Sequence, residues 1–165
     1  MLTCGFKQSH ADYSLFSLHH DDIRLHVLVC VDDLIILGNN HVAIKKFKTY
    51  LSRCLHMKDL RKLKYFLGVE VAWGPEGIFL CQRKYALDII SETGLLGAKP
   101  ANIPMEQNHR LALASGPFFS DLEQYRRLIG RLIYLCFTRP VLCYRIHILS
   151  QFMYKPRVEH WDAAL

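Results

Sequence analysis

The 165-residue sequence predicts an α+β fold: an antiparallel sheet with packed helices, followed by a mostly helical segment. Three observations carry that expectation. Strand-like alternation of apolar and polar residues dominates the chain up to Leu37, punctuated by short polar turns that suit hairpins. Apolar residues then recur at helical spacing in several later stretches. A run of prolines, glycines and polar residues from Gly97 to Ser120 separates a mixed half from a helical half. The length suits one domain burying roughly 70% of its unfolded surface. The 51% apolar and 22% charged content is that of an ordinary folded chain.

Asp12 to Leu18 and Ile23 to Val31 are expected strands, joined through His19-His20-Asp21-Asp22 as a solvated hairpin turn. Asp32-Asp33 forms a second, tight turn, and Leu34 to Leu37 return as a third strand. Gly38-Asn39-Asn40 stops that strand and can cap a helix. From His41 to Leu55, Ile44, Phe47, Leu51 and Cys54 share one face, while Lys45, Lys46, Lys48 and Arg53 lie mostly off it. Lys64 to Trp73 and Ile78 to Gln82 read as a hairpin about Gly74-Pro75-Glu76-Gly77. Arg83 to Thr93 is a helix ended by Gly94, with Tyr85, Ala86, Ile89 and Ile90 as its apolar face. After the linker at 97–120, Ser120-Asp121-Leu122-Glu123 is a capping box. It opens a helix whose stripe is Tyr125, Leu128, Ile129, Leu132, Ile133 and Cys136, with Arg126, Arg127 and Arg131 on another side. Pro140 starts a helix toward Met153, Lys155-Pro156 break it, and Glu159 to Leu165 opens one more.

Composition narrows the function classes. Net charge is +6 with a pI near 9.1, a modest lean toward polyanions. No apolar run reaches the ~18 residues of a membrane span, and the first residues lack a signal-peptide core, so an intracellular chain without a membrane partner is expected. Cys4, Cys30, Cys54, Cys81, Cys136 and Cys143 include no Cys-x-x-Cys pair and no histidine at zinc-finger spacing. They read as reduced, small apolar residues.

The chemistry centres on Asp32 and Asp33, set in the most apolar stretch of the chain, Leu25 to Gly38. At a buried strand end, two carboxylates ~4 Å apart would repel by about 4 kcal/mol at an effective dielectric of ~20. A divalent cation would offset that. Adjacent aspartates on a turn between rigid strands offer the hard oxygen ligands that nucleotidyl transfer needs. The pair also suits a plain turn, as Asp21-Asp22 does.

Longer blocks extend this reading. Cys30-Val31-Asp32-Asp33 resembles the Tyr-Val-Asp-Asp motif of reverse transcriptases. Gly5-Phe6-Lys7-Gln8-Ser9, Asp12-Tyr13-Ser14-Leu15-Phe16, Met57-Lys58-Asp59-Leu60, Leu63 to Val71, Gln82-Arg83-Lys84-Tyr85-Ala86, Lys99-Pro100 with Pro104-Met105, Tyr125 to Leu135, Thr138-Arg139-Pro140 and Leu149-Ser150-Gln151-Phe152 follow the order of copia-type retrotransposon Pol. The resemblance spans essentially the whole chain. It implies an RNA-directed DNA polymerase segment with a palm-like antiparallel sheet, truncated at both ends. Residues 1–96 would be partial palm and the start of a thumb, and 121–165 a helical thumb or connection segment. Asp32 and Asp33 would be catalytic and metal-binding, Asp32 by direct ligation and Asp33 in support. Two Mg2+ ions would act with a third aspartate from an upstream strand, on a primer–template and deoxynucleoside triphosphates. Upstream fingers and palm, and a downstream RNase H segment, would be the missing partners, so activity of the chain alone is not expected.

Arg83, Lys84, Arg126, Arg127 and Arg131 could contact the nucleic-acid backbone or be solvated helix faces. Trp73 and Tyr65 could stack on a base or pack, while Tyr85, Tyr125 and Tyr134 sit on apolar stripes. Cys30 replaces the family's tyrosine, Arg61 a glycine able to take positive φ, Val141 an aspartate and Ile103 a threonine. These departures fit drift without selection. A second reading is a catalytically inactive remnant with at most weak nucleic-acid binding. A third reading is an unrelated α+β binding module.

Overall fold

The computed structural model describes residues 4–100 and 110–165. The chain divides into two compact units, Met1–Leu63 and Lys64–Leu165. The architecture is α+β with antiparallel sheets.

The first unit is a four-stranded sheet in the order β1 (Lys7–Gln8), β2 (Leu15–His20), β3 (Ile23–Cys30), β4 (Asp33–Gly38), with helix α1 (His41–Cys54) on one face. Strand alternation decides which side chains face the helix. Phe16 and Leu18, then Leu25, Val27 and Val29, then Leu34 and Ile36 pack against Ala43, Ile44, Phe47 and Leu51, with Phe6 beside them. Full burial of such a side chain is worth roughly 1.5–3 kcal/mol, so this layer holds the unit together. Asn40 caps α1 as expected, its side chain accepting from the Ala43 N–H at 3.0 Å. Cys54, expected on the apolar face, is exposed at the end of the last turn.

Strand β2 starts at Leu15 rather than Asp12. The Asp12 carboxylate accepts from the Ser14 N–H at 2.9 Å and from the Ser14 hydroxyl at 2.6 Å, and this local turn displaces the strand. Strand β1 pairs Lys7 with Ser17 and Gln8 with Phe16; two residues are too few to show a period.

The second unit holds a three-stranded sheet, β5 (Tyr65–Phe66), β6 (Val69–Gly74) and β7 (Gly77–Cys81), and helices α2 (Arg83–Glu92), α3 (Leu122–Leu135), α4 (Cys143–Ser150) and α5 (Val158–Asp162). The expected strand from Lys64 to Trp73 is broken. Leu67 and Gly68 take left-handed backbone angles (φ 48° and 82°) and form the two-residue loop that joins Phe66 to its partner Val69, with Tyr65–Glu70 the next pair along. The turn through Pro75 and Glu76 is as expected, with Gly74 paired to Gly77.

Glu70 of β6 accepts from the Lys84 N–H at 2.8 Å, capping α2 from another element. Helix α3 is capped by Asp121, which accepts from the Gln124 N–H at 2.8 Å, one residue beyond the expected Ser120. The capping pattern repeats there as Asp121 and Gln124, and the later frame wins. Tyr125 and Ile129 pack with Leu111, Ile148 and Leu149, and Leu128 and Leu135 with Ile89. The helix expected from Pro140 begins as a 3-10 turn, Pro140–Leu142, before α4.

Of the expected linker, residues 101–109, with Ile103, Pro104 and Met105, lie outside the described residues. Its later part is anchored on α5. The Gly116 N–H donates to Glu159 at 2.8 Å, and Arg157 donates to the Gly116 carbonyl. Buried His160 accepts from the Arg157 N–H at Nδ1 (2.9 Å), meets the Leu111 carbonyl at Nε2 (3.0 Å) and stacks on Phe152. Among the described residues no helix is long and apolar enough to cross a membrane.

Candidate active site

The site is built by register. Cys30 pairs directly with Asp33, which leaves only Val31 and Asp32 as the loop between β3 and β4. Asp33 is therefore the first residue of β4 rather than half of the turn. In a two-residue loop of this kind the first position takes positive φ, and Val31 has φ 51°. Left-handed backbone costs an L-residue roughly 1–2 kcal/mol, and a β-branched side chain is rare there. The valine gains nothing by packing, since its residue is 92% exposed.

The hairpin between β2 and β3 is an internal control. His20 pairs with Ile23, the loop is Asp21 and Asp22, and Asp21 has φ 49°. Aspartate tolerates that conformation. The same turn thus appears twice, relaxed at one end of β3 and strained at the other. Strain held at an exposed loop beside two carboxylates is an outlier of the kind that clusters at functional sites.

Both carboxylates are exposed, which overturns the expectation of a buried pair. The apolar run that suggested burial lies in the strands, and the loop carries the aspartates past its end. In water, charges ~4 Å apart repel by about 1 kcal/mol, so the fold tolerates them without a cation. Asp21 pairs with His20 at 3.0 Å. Among the described residues, by contrast, no side chain pairs with Asp32 or Asp33, so their oxygens are open to a ligand. Those oxygens are the hard donors magnesium takes. Among the described residues, no group of three or more histidine, cysteine, aspartate or glutamate side chains completes a metal cluster. The donor type fits magnesium, as part of a larger ligand set. Cys30, cross-strand from Asp33, lies with it on the sheet face away from α1.

The other expected site residues are all in the second unit. Arg83 and Lys84 are exposed at the start of α2, with the Lys84 ammonium 5.9 Å from the Tyr65 ring centroid. Arg126 donates to the Met153 carbonyl at 2.9 Å. Arg127 and Arg131 both pair with Glu92, and Arg131 also lies 5.2 Å over the Tyr85 ring. The three arginines thus already serve contacts within their unit. Trp73 and Tyr65 are partly exposed, Tyr125 is fully buried, and Tyr134 reaches the Leu67 carbonyl with its hydroxyl. Val31 is the residue that sequence reasoning missed, because its place in the loop follows from the Cys30–Asp33 pairing, which only the structure gives.

Comparison with known proteins places the chain in a family. Residues 1–107 match the family described as reverse transcriptase (RNA-dependent DNA polymerase), and the chain belongs to that family. Within it, the chain is similar to retrovirus-related Pol polyproteins of plant transposons. It is 42% identical over 163 residues to the retrovirus-related Pol polyprotein from transposon RE2 of Arabidopsis thaliana, and 41% identical to that from transposon RE1. Each alignment takes in 99% of this chain and 11% of the relative, so the chain spans about one ninth of these polyproteins. An uncharacterized mitochondrial protein of the same plant is 34% identical over 84% of this chain and 57% of its own length. No significant match to a solved structure exists.

Proposed function

We propose that this chain carries the catalytic hairpin of a copia-type RNA-directed DNA polymerase, with Asp32 and Asp33 as two of three carboxylates serving nucleotidyl transfer. In this reading residues 1–96 are palm and the start of a thumb, 97–120 a linker, and 121–165 a thumb or connection segment. The observation that carries it is the strained loop that projects two unpartnered carboxylates from a sheet braced by α1.

The chain's own contribution is positional. Strands β3 and β4 fix the loop, and the loop keeps Asp32 at its tip and Asp33 at the strand end. Asp32 is the better direct ligand and Asp33 a supporting one. Magnesium held there would neutralise charge on the attacking and leaving oxygens of the transfer. Arg83 and Lys84, and the exposed Arg126 and Arg127, would meet the phosphates of a primer–template, while Arg131 holds α2 to α3 through Glu92. The third carboxylate would come from a polyprotein segment outside this chain.

The test is magnesium-dependent primer extension by the chain alone and with a preceding Pol segment added in trans. Extension only with the added segment, and its loss in Asp32→Asn, is the expected result. The second reading is an inactive remnant with at most weak nucleic-acid binding. What supports it is that no group of three ligand side chains occurs among the described residues, and no extension under either condition would favour it.

A further inference from the structure

Helix α1 has a second face that neither the core nor the aspartate loop uses. Val42, Lys45, Lys46, Thr49, Tyr50 and Arg53 line one open groove along it. Their spacing of three and four residues makes a continuous stripe, centred opposite Phe47 and Leu51 and so directed away from the sheet. All six residues are exposed. The helix contains no carboxylate. Lys48, outside the stripe, is engaged by Asp59 at 3.0 Å, whereas Lys45, Lys46 and Arg53 have no ion-pair partner among the described residues.

We infer that this stripe is a contact for single-stranded nucleic acid, separate from the aspartate site. Charge complementarity selects a polyanion: three cations of one sign are presented together, with no acid among them. The stretch from Lys45 to Arg53 rises roughly 12 Å along the axis. A single strand can extend beyond the ~3.4 Å of rise per phosphate that it has in a duplex, and the stripe still reaches roughly two or three phosphates. The half-exposed ring of Tyr50 lies among the cations. Cations tracking a backbone beside an aromatic platform are how single strands are held without sequence preference. Unstacked bases are needed for the ring to contribute, and this favours a single strand over a duplex or an acidic polypeptide. Asp33 lies on the opposite face of the sheet, so one strand can occupy this stripe while the carboxylates remain open.

The test is fluorescence anisotropy of a labelled 20-residue oligothymidylate titrated with the whole chain at several salt concentrations. Replacing Lys45, Lys46 and Arg53 together by glutamine should weaken binding at least tenfold. It should also lower the slope of log affinity against log salt by about 2, at ~0.7 per phosphate contact. Tyr50→Ala should weaken the single strand and leave any binding of a hairpin duplex unchanged. All four positions are exposed, and unchanged far-ultraviolet circular dichroism would show that the fold is kept. Unaltered affinity and slope in the triple variant would overturn the inference. So would displacement of the oligonucleotide by polyglutamate as effectively as by unlabelled oligonucleotide of equal charge, which would make the stripe a protein-docking face.

Discussion

Replacing Val31 by glycine tests whether the loop stores strain. Relief of the left-handed penalty contributes roughly 1–2 kcal/mol, with valine at the upper end because of its branched Cβ. The added freedom of glycine in the unfolded chain removes roughly 0.5–1 kcal/mol. Little burial is lost, since Val31 is 92% exposed. The net expectation is a gain of about 1 kcal/mol. If the first unit melts as its own transition, that corresponds to about 4–8 °C. The assay is thermal and urea unfolding followed by circular dichroism, with two companions. Arg61, also left-handed at φ 67°, should gain on change to glycine, and Asp21→Gly should stay near neutral because aspartate accepts φ 49°. The sign decides the matter. A relaxed Val31 would make the glycine variant less stable by the entropy term alone, and that result would refute the reasoning.

The remaining predictions concern packing and pH. Gly38→Ala should cost about 1–3 kcal/mol in denaturant melts, because an added Cβ would lie 2.5 Å from Leu25 and 2.8 Å from the Arg24 carbonyl. Tyr125→Phe should cost about 1 kcal/mol by removing the 2.9 Å bond to the Leu149 carbonyl. Burial pushes the Tyr125 hydroxyl up to about 12 from 10.0. Its raised folded value stabilises fully below pH 10 and is lost as pH climbs through 12, so the phenylalanine variant should lose less stability in strong alkali. The Arg61 N–H, then the Lys48 ammonium, hold the Asp59 carboxyl below 3.8. That contribution is present above about pH 4 and disappears as pH falls through the lowered folded value. Acid titration of Asp59→Asn should therefore show a shallower loss of stability than the parent chain.

Much of the architecture was legible because apolar period and turn chemistry agree. Asn40, Gly94 and the Gly74–Gly77 turn did what their residue types suggest, and α1 began where Asn40 capped it. What failed was local competition and unusual backbone. Asp12 preferred its own Ser14 to the sheet, and Leu67 occupied a left-handed position that leucine does not advertise. The candidate site is only partly legible. Residue type and setting single out Asp32 and Asp33, but not their exposure. Runs of aliphatic residues imply burial of the strand, not of the two residues that cross from one strand to the next. The strain at Val31 depends on pairing register, which a string of residues does not display. The anchoring of residues 111–119 on α5 was invisible for a different reason: it rests on Gly116, Glu159 and His160, which share no period.

The tie points of the second unit also set an order of assembly. Leu67 meets Tyr134 across 67 positions, Gln82 meets Thr138 across 56, and Leu111 meets His160 across 49. Each doubling of such a loop adds about 0.6 kcal/mol of closure entropy, and distant contacts slow folding. The sheet carrying the aspartates is instead zipped largely from neighbours through two-residue loops, an event on the order of microseconds for an isolated hairpin. As the chain emerges in order, the hairpin that holds Asp32 and Asp33 can close long before α3 and α5 exist to complete the second unit.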